Sequence, residues 1–424
     1  MRIFPLEKEL FGSKYELLPT VNQKYELELA LAEVRTLSDE ELIRRSAYLK
    51  SVDGIQTFHY KICEATPNQV SPDASEERKR FFEKEKFSVG YATHGLFPYR
   101  GKFHPQMIKA IMNIIGIQEG DTVLDPMVGS GTTVIEALLI GANAVGVELN
   151  PFTAFMSKTK VEALEMEILD VTQILAYSDM IFDFFNDREM GGRKTLSTSQ
   201  LSFELKSLKD EQISGLLEDE KVRNLFLLCY LDALGYARRR KTKTPKDLFP
   251  GLLKRYLEAV NAFNKTRERI GLKLGKGVII VGDARKLPLE DETIEGIIFS
   301  PPYSFAIDYV ENDRVQLEYM GINIEALKTK MIGLRGESIK TKLKNYFEDM
   351  GTVLAECYRV LKPSKYCVII IGSNTVQTGG VRLEKGLIEI STEIGFSVKY
   401  HMIREIEGIR NVMREEHIIF LQKV

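Results

Sequence analysis

The stretch Val123-Leu124-Asp125-Pro126-Met127-Val128-Gly129-Ser130-Gly131-Thr132-Thr133 decides the fold of this 424-residue chain. Its apolar start predicts a buried strand, its glycines predict a tight loop, and residues 134–140 predict a helix. Gly141 ends that helix, and residues 144–148 predict a second strand with Glu148 at its tip. These elements form a βαβ unit, whose first turn lets the backbone approach a ligand closely.

The residues of this turn narrow the choice of ligand. Glu148 follows Asp125 by 23 positions, close to the spacing of an acid that holds a ribose diol in such units. The turn lacks the G-x-G-x-x-G pattern of dinucleotide sites, and no lysine follows Gly131 as a phosphate-binding P-loop requires. An uncharged, close-approach loop favours a nucleoside without phosphates, such as S-adenosylmethionine.

A second segment, Ser300-Pro301-Pro302-Tyr303, directly follows the apolar run at 297–299. Neither proline carries a backbone N–H, so the strand cannot continue its normal pairing. The free carbonyls, the Ser300 hydroxyl and the Tyr303 ring suit a flat ring that bears an amino group. Taken alone, the four residues fit an ordinary strand-ending turn equally well.

Together the two segments resemble motifs of the nucleic-acid methyltransferases that modify exocyclic amines, either cytosine N4 or adenine N6. Residues 125–133 are similar to the cofactor motif Asp-Pro-Phe-x-Gly-Ser-Gly-Thr-Thr, with Met127 replacing phenylalanine. The form Ser-Pro-Pro-Tyr is typical of cytosine-N4 enzymes, and residues 306–309 resemble a subset of them. The resemblance covers roughly 91–160 and 276–424. It implies a class I, Rossmann-like α/β fold with a doubly wound sheet, and S-adenosylmethionine as cofactor.

The resemblance also implies roles for individual residues. Ser300, Pro301, Pro302 and Tyr303 are the expected catalytic residues. The segment 94–106 resembles one that packs on the methionine side of the cofactor, and Asp283 resembles the acceptor for its adenine amino group. The expected cofactor-binding residues are Phe103, His104, Pro105, Asp125, Pro126, Met127, Gly129, Ser130, Gly131, Thr132, Thr133, Glu148, Leu149, Asp283 and Ala284.

Residues expected to contact the substrate come from three segments. The helix after the diproline bend carries Asp308, Tyr309 and Arg314, and a loop at 333–337 carries Arg335. The densest basic run, residues 238–246, contributes Arg238, Arg239, Arg240, Lys241 and Lys243. That run suits phosphate binding, although cations are also favoured at a solvated helix C-terminus by the helix dipole.

The pattern divides the chain into three parts. Residues 1–85 form an N-terminal module of unknown role, with strands predicted at 25–31 and, weakly, at 55–62 because apolar and polar residues alternate. Residues 86–160 and 276–424 form the methyltransferase domain, closed by a hairpin at 396–403 and 417–421. Residues 161–275 show helical periodicity and form an insertion that is a possible substrate-recognition region.

Composition describes a globular protein of two or three domains, with 44% hydrophobic and 28% charged residues and a net charge of −2. No run approaches the 18 apolar residues of a membrane span, and the N-terminus lacks a signal-peptide pattern, so a cytoplasmic location and no membrane partner are expected. The four cysteines have no C-x-x-C spacing, so neither a metal site nor a disulfide framework is expected.

The function predicted from these features is methylation of the N4 amine of cytidine in structured RNA, ribosomal RNA above all, with N4,N4-dimethylcytidine as a further product. RNA is favoured because a near-neutral chain with an extra module suits one shaped RNA. A DNA cytosine-N4 methyltransferase of a restriction-modification type is the alternative. A protein-glutamine or small-molecule N-methyltransferase is the second alternative.

Overall fold

The computed structural model describes residues 9–67, 90–99, 101–168, 170–190, 211–239, 242–302, 309–372, 378–405 and 415–424. The strands are β1 (Tyr15–Leu17), β2 (Leu49–Val52), β3 (Ile55–Gln56), β4 (Thr122–Asp125), β5 (Asn143–Glu148), β6 (Gly277–Val281), β7 (Ile294–Phe299), β8 (Leu361–Gly372), β9 (Phe396–Glu405) and β10 (Glu415–Lys423).

Helices separate most of these strands. They are α1 (Lys24–Thr36), α2 (Asp39–Arg45), α3 (Phe58–Ala65), α4 (Pro105–Ile114), α5 (Thr132–Leu139), α6 (Pro151–Glu162), α7 (Val171–Ala176), α8 (Ser178–Met190), α9 (Glu211–Glu218), α10 (Glu220–Arg239), α11 (Pro245–Ile270), α12 (Tyr309–Asn312), α13 (Arg314–Tyr319), α14 (Ile324–Lys328), α15 (Ile339–Val360) and α16 (Leu383–Ile394). Among the described residues, no helix combines the length and apolarity needed to cross a bilayer.

The central sheet has seven strands in the order β6-β5-β4-β7-β8-β10-β9. Strands β4 to β8 run parallel, whereas β10 pairs antiparallel with both β8 and β9. The strand order reverses direction at β4, where the chain crosses from β6 to β7, which makes this a doubly wound sheet. The predicted α/β fold with one hairpin at the edge is confirmed.

The register of β4 brings the two motifs to the same place. Val123 pairs with Gly296 and Leu124 pairs with Ile297, so β4 and β7 are parallel neighbours. The carboxyl ends of parallel neighbours meet at one edge of the sheet, which is where doubly wound folds bind ligands. The glycine turn after β4 and the diproline bend after β7 therefore share that edge.

The strand predicted at 25–31 is wrong, because these residues lie in helix α1. Gln23 and Glu26 form a reciprocal capping box at its start, and the leucine, glutamate and alanine residues that follow favour a helix. The prediction at 55–62 holds only for β3, since the Thr57 side chain accepts from the Tyr60 N–H and begins α3.

The N-terminal segment packs directly on the central sheet. Its apolar side chains share one hydrophobic cluster with those of α4 and α5. Two buried polar contacts reinforce the joint: Arg45 Nε donates to Asn113 Oδ1 at 2.7 Å, and Asn113 Nδ2 donates to Glu33 Oε1 at 2.6 Å. Residues 9–65 thus fix the position of α4 and of the segment that leads into it. A domain boundary at 85 stays a prediction, because it falls outside the described residues.

The described helices of the insertion form a layer beside the sheet. The long helices α10 and α11 pack against each other, and α10 also contacts α6 and α13. Its core is rich in aromatic rings, with Phe182 lying 5.2 Å from Tyr230 and 5.6 Å from Phe249 between ring centroids. Through α6 and α13 this layer lies next to the carboxyl edge of the sheet.

Candidate active site

A cleft with an empty volume of about 870 Å³, part of it open to solvent, lies at the carboxyl edge of the sheet. Both motifs line it, so the structure brings the glycine turn and the diproline bend together. The predicted site residues on its walls are Phe103, Pro126, Met127, Gly129, Ser130, Thr132, Glu148, Leu149, Asp283, Ala284, Ser300 and Pro302.

Other predicted site residues do not line the cleft but lie in the elements that form its walls. Pro105 occupies the first turn of α4, and His104 precedes it with a buried Nδ1 that has no hydrogen-bond partner among the described residues. Asp125 is buried, accepts from the Met127 N–H at 3.0 Å, and has its pKa raised to about 7 by that burial. Thr133 Oγ1 donates to the Ile298 carbonyl at 3.4 Å and so ties α5 to the end of β7.

Some predicted residues lie outside the described part of the chain. These are Tyr303, Asp308, Arg240 and Lys241, together with the side chain of Tyr309. Their roles stay predictions.

The glycine turn depends on left-handed backbone conformations. Gly129 has φ of +50° and Gly131 has φ of +83°, a region that side chains with a Cβ rarely adopt. The Ser157 hydroxyl donates to the Gly129 carbonyl, and the Gly129 N–H donates to Glu148 Oε2 at 3.0 Å. The turn is therefore held from α6 and from β5 at once.

Gly146 of β5 leaves the space that the turn needs. A Cβ there would lie 2.7 Å from Val128 Cγ2 and 2.8 Å from Ile279 Cδ1. We expect Gly146→Ala to lower the free energy of unfolding by about 1–3 kcal/mol, as overpacking does, and to weaken cofactor binding because Val128 belongs to the turn. Chemical denaturation and titration with S-adenosylhomocysteine measure the two effects.

A glycine with open space provides the control for this change. Gly251 in α11 has no heavy atom within 4 Å of its would-be Cβ. Gly251→Ala should therefore be neutral or slightly stabilising, because alanine favours a helix over glycine. Equal losses of stability in both variants would contradict the close approach at Gly146.

Glu148 supports the glycine turn, and its carboxylate oxygens can accept further hydrogen bonds. Oε2 accepts from the Gly129 N–H and Oε1 accepts from the Asn150 N–H at 2.9 Å. Burial raises the pKa of this carboxyl against the effect of those bonds, which lower it. Each carboxylate oxygen has two lone-pair directions, so both oxygens can still accept from a ribose diol.

The diproline bend forms the opposite wall. Residues Ile297, Ile298 and Phe299 of β7 are fully buried and anchor it, while Pro301 is buried beneath the surface. Ser300 and Pro302 are half-buried and line the cleft. A hydroxyl and the end of a strand thus face the space beside the glycine turn.

A network of charges encloses the end of the cleft at Asp283. Arg285 donates from Nε to Asp283 Oδ1 at 3.0 Å, from Nη2 to Oδ2 at 2.6 Å, and from Nη1 to Asp349 Oδ1 at 2.9 Å. Burial acts to raise the pKa of Asp283, but the bonds and charge of Arg285 prevail and lower it. Asp283 therefore stays an anionic acceptor at neutral pH.

Arg335 joins this network instead of facing the cleft. Its Nη2 donates to Asp349 Oδ1 at 2.5 Å, and the same loop contributes Met331 and Ile332 to the cleft wall. Arg285 also donates to the Lys330 carbonyl at 2.8 Å. Asp349 thus links Asp283 to the loop, and a contact of Arg335 with substrate stays a prediction.

Removing the charge of Asp349 tests this link. We expect Asp349→Asn to weaken binding of S-adenosylhomocysteine by about tenfold, since two charge-assisted bonds that hold the wall are lost. The control is Glu348→Gln at the preceding residue of α15. The carboxylate of Glu348 is exposed and forms a weak ion pair with Lys344 at 3.7 Å. Calorimetric titration of both variants decides the matter, and an unchanged affinity in Asp349→Asn would rule the link out.

Of the basic run, Arg238 and Arg239 lie at the end of α10, the helix that packs against α6 and α13 beside the cleft. Arg238, Arg239 and Lys243 are exposed, as phosphate binding requires. Burial raises the pKa of Asp313 to about 7, and the charge of Arg239 acts in the opposite direction. Asp313 accepts a hydrogen bond at 3.2 Å from Nδ2 of Asn150, a residue of the cleft wall. By contrast, Arg314 pairs with Glu311 at 2.7 Å and with Glu318 at 3.4 Å, so its charge is compensated locally.

The sequence reasoning missed several residues of this site. Tyr99, Lys102, Asn150, Thr153, Met331 and Ile332 also line the cleft, while Arg285 and Asp349 support it. Lys102 was within reach, because it directly precedes Phe103 in the segment already assigned to the cofactor. Residues 331–332 are distant in sequence from the glycine turn, and no recognisable motif around them indicates a contact with the cleft.

The cleft fits S-adenosylmethionine by its own chemistry. Two acids, Glu148 and Asp283, lie on its walls together with apolar Leu149, Ala284 and Ile332. Carboxylate oxygens are hydrogen-bond acceptors, which suit a ribose diol and an adenine amino group. Glycines 129 and 131 permit close approach of the backbone at the start of α5.

Comparisons with known proteins agree with this fit. Residues 96–183 match the family model described as an RMKL-like methyltransferase domain, UPF0020. The Type II methyltransferase M.BsoBI of Geobacillus stearothermophilus is 22% identical over 357 residues, which cover 73% of this chain and 66% of that protein. The tRNA (guanine(10)-N2)-dimethyltransferase of Methanothermobacter thermautotrophicus is 33% identical over 73 residues, which cover 17% of this chain and 22% of that protein.

A solved S-adenosylmethionine-dependent methyltransferase from Methanosarcina mazei overlaps 73% of this chain and 94% of its own, at 12% identity and a TM-score of 0.33. The strand order of the sheet is what identifies the doubly wound fold. The order, the cleft and the relatives lead to one conclusion. The chain carries an S-adenosylmethionine-dependent methyltransferase domain related to those of nucleic-acid methyltransferases.

Proposed function

We propose that the chain methylates the exocyclic N4 amine of a cytosine in nucleic acid. The observation that carries this proposal is that Ser300 and Pro302 line the same cleft as Gly129 and Glu148. The cleft would thus hold the cofactor along Gly129 and Glu148 and the amine of the base at Ser300 and Pro302. Bound S-adenosylmethionine supplies an electrophilic methyl group on its sulfonium.

The bend would activate the amine by accepting its protons. The N4 lone pair of cytosine is delocalised into the ring, which makes the nitrogen a poor nucleophile. Hydrogen bonds from the amine to Ser300 Oγ and to the Pro301 carbonyl would draw the nitrogen towards tetrahedral geometry and free that lone pair. Tyr303 would stack on the base. Positioning and oriented dipoles then account for catalysis, with the released proton passing to water.

The base must reach the cleft unpaired. Enzymes that act on a base atom inside a duplex take that base out of the stack or choose a single-stranded one. Arg238 and Arg239 at the end of α10, and Lys243 shortly after it, are exposed and would hold phosphates of the substrate. Their loss should weaken substrate binding and reduce its salt dependence without altering cofactor affinity.

We infer that the polymer is a structured RNA, with ribosomal RNA the first candidate. The near-neutral chain and the N-terminal segment packed beside α4 suit a single shaped target rather than a scan of base edges. The tRNA-modifying relative is 33% identical to a 73-residue segment of this chain. A methylated N4 retains one proton, so a second transfer to give N4,N4-dimethylcytidine is compatible with the same site.

DNA is the second candidate, and one observation favours it. The Type II relative aligns over 73% of the chain, whereas the tRNA-modifying relative aligns over 17%. Under this alternative the chain is a DNA cytosine-N4 methyltransferase with the same cleft and the same roles for its residues.

Nucleoside mass spectrometry decides between these candidates. The protein is incubated with methyl-labelled cofactor and, separately, with ribosomal RNA, tRNA and genomic DNA, and the digested nucleosides are identified. We expect N4-methylcytidine or its dimethyl form in RNA. Label confined to DNA would support the second candidate, and N6-methyladenine in any polymer would overturn the choice of base.

A further inference from the structure

Residues 328–345 carry a local excess of positive charge. They include six basic side chains and one acid, whereas the whole chain has a net charge of −2. Ion pairs with acids from other elements compensate Lys328 and Arg335. The remaining lysines therefore leave this segment strongly positive.

Three of these lysines are exposed to solvent. Among the described residues, Lys330 and Lys340 are exposed and form no ion pair. The side chain of Lys344 is 74% exposed and pairs with Glu348 at 3.7 Å. An ion pair between exposed groups at that distance contributes little, so all three charges are available to an external anion.

The direction of the chain places these lysines at the same edge of the sheet as the cleft. Helix α15 packs on β8 and ends where β8 begins, so it runs antiparallel to the strand and its first turns lie towards the carboxyl end. The loop before α15 lines the cleft through Met331 and Ile332. It is also tied to the helix, because Asn345 Nδ2 donates to the Arg335 carbonyl at 3.1 Å.

Helix α16 adds a further lysine at this edge. It begins after the carboxyl end of β8 and packs against α15, and an open groove between the two helices is lined by Phe347 and Lys385. Among the described residues, Lys385 is exposed and forms no ion pair. We call Lys330, Lys340, Lys344 and Lys385 the lysine surface.

The positions of these lysines work against helix stability. Lys340 lies in the first turn of α15 and Lys385 in the first turn of α16, where the helix dipole disfavours cations. Lys340 and Lys344 are four residues apart on one face of α15, so their charges also repel each other. Helix stability therefore gives no reason for these charges.

We propose that the lysine surface binds backbone phosphates of the nucleic acid on the β8 side of the diproline bend. This role depends on the proposed function, in which the target base enters the cleft beside Ser300. Strand β8 is the neighbour of β7, whereas Arg238 and Arg239 lie on α10, which packs against the helix that follows β5. In the order of the strands, the bend after β7 lies between these two groups of cations. A polymer that places a base at the bend can therefore contact both groups.

Binding of short homopolymers to the full chain tests this surface without requiring methyl transfer. The probes are fluorescein-labelled oligocytidylate and oligodeoxycytidylate of about 20 nucleotides, since phosphate contacts do not read sequence. We expect the double variant Lys340→Gln with Lys344→Gln to bind them about tenfold more weakly. The slope of log K against log salt should fall by about 1 to 1.5, because each phosphate contact on a single strand contributes about 0.7. Affinity for S-adenosylhomocysteine should stay unchanged.

Two lysines at the opposite edge of the sheet provide the control. Lys265 lies near the end of α11, and Lys276 directly precedes the amino end of β6; both are exposed. Lys265→Gln with Lys276→Gln removes the same net charge, so it should leave the affinity and the slope close to those of the wild type. Equal losses in the two double variants would indicate attraction by net charge and would overturn the proposed surface.

Melting curves separate phosphate binding from support of the fold. Removing Lys340 and Lys344 relieves their mutual repulsion, so the variant should melt at the wild-type temperature or above it. A lower melting temperature with weaker cofactor binding would mean that the lysines support the fold, and unchanged affinity for both homopolymers would rule out the phosphate contact. A wild-type protein that bound neither homopolymer would instead contradict the choice of nucleic acid as substrate. Methylation of a base other than cytosine would leave these binding results unaffected.

Discussion

Replacing Ser300 by alanine is expected to lower kcat by about 100-fold, similar to the loss of one preorganised hydrogen-bonding group at other active sites, while affinity for S-adenosylhomocysteine stays unchanged. Ser300 is half-buried on the cleft wall formed by the bend, and it is the side-chain acceptor that we assign to the amine. An interaction made mainly in the transition state lowers kcat and kcat/KM together when it is lost. Single-turnover rates and a separate binding titration measure the two quantities.

A distant serine provides the control for this variant. Ser397 on β9 is also half-buried, and it lies at the far edge of the sheet from β4. Ser397→Ala should keep the wild-type rate. If Ser300→Ala also kept that rate, or lost cofactor affinity in step with kcat, the bend would not be the amine-accepting wall.

Replacing Glu148 by alanine is expected to weaken cofactor binding by about 100-fold, because charge-assisted hydrogen bonds to the ribose diol would be lost. The same change also removes the bonds from Glu148 to Gly129 and Asn150, so affinity alone does not separate ribose contact from support of the turn. Glu165→Ala, which removes an exposed carboxylate, is the control.

Deoxynucleosides separate the two contributions of Glu148. The wild-type protein should bind adenosine more tightly than 2′,3′-dideoxyadenosine. The Glu148→Ala protein should bind the two nucleosides with the same weak affinity, because the carboxylate that would accept hydrogen bonds from the ribose diol has been removed. A preference for adenosine that survives in the variant would mean that Glu148 only supports the turn.

The parts of the fold that sequence predicts are those with a local signature. Residues 122–148 combine an apolar strand, a glycine turn and a helix, each recognisable on its own, and the structure has all three. The hairpin predicted at 396–403 and 417–421 is likewise present, as β9 and β10. Residues 25–31 also alternate, but capping at Gln23 and Glu26 and the helix-forming side chains outweigh that pattern.

The parts of the site that sequence misses are those that tertiary packing creates. Met331 and Ile332 lie on the cleft wall because Arg285 and Asp349 hold their loop, and no spacing along the chain records that network. Arg335 and Arg314 are expected from the sequence to contact the substrate, yet each forms ion pairs with acidic side chains in the fold.

A crystal structure of the protein with S-adenosylhomocysteine tests whether the glycine turn and the diproline bend form one methyl-transfer site. We predict that the ribose lies within hydrogen-bond distance of Glu148 and the adenine amino group beside Asp283. The sulfur should face Ser300 across a gap wide enough for a base. A ligand bound outside this cleft, or a sulfur turned away from the bend, would contradict the proposed arrangement.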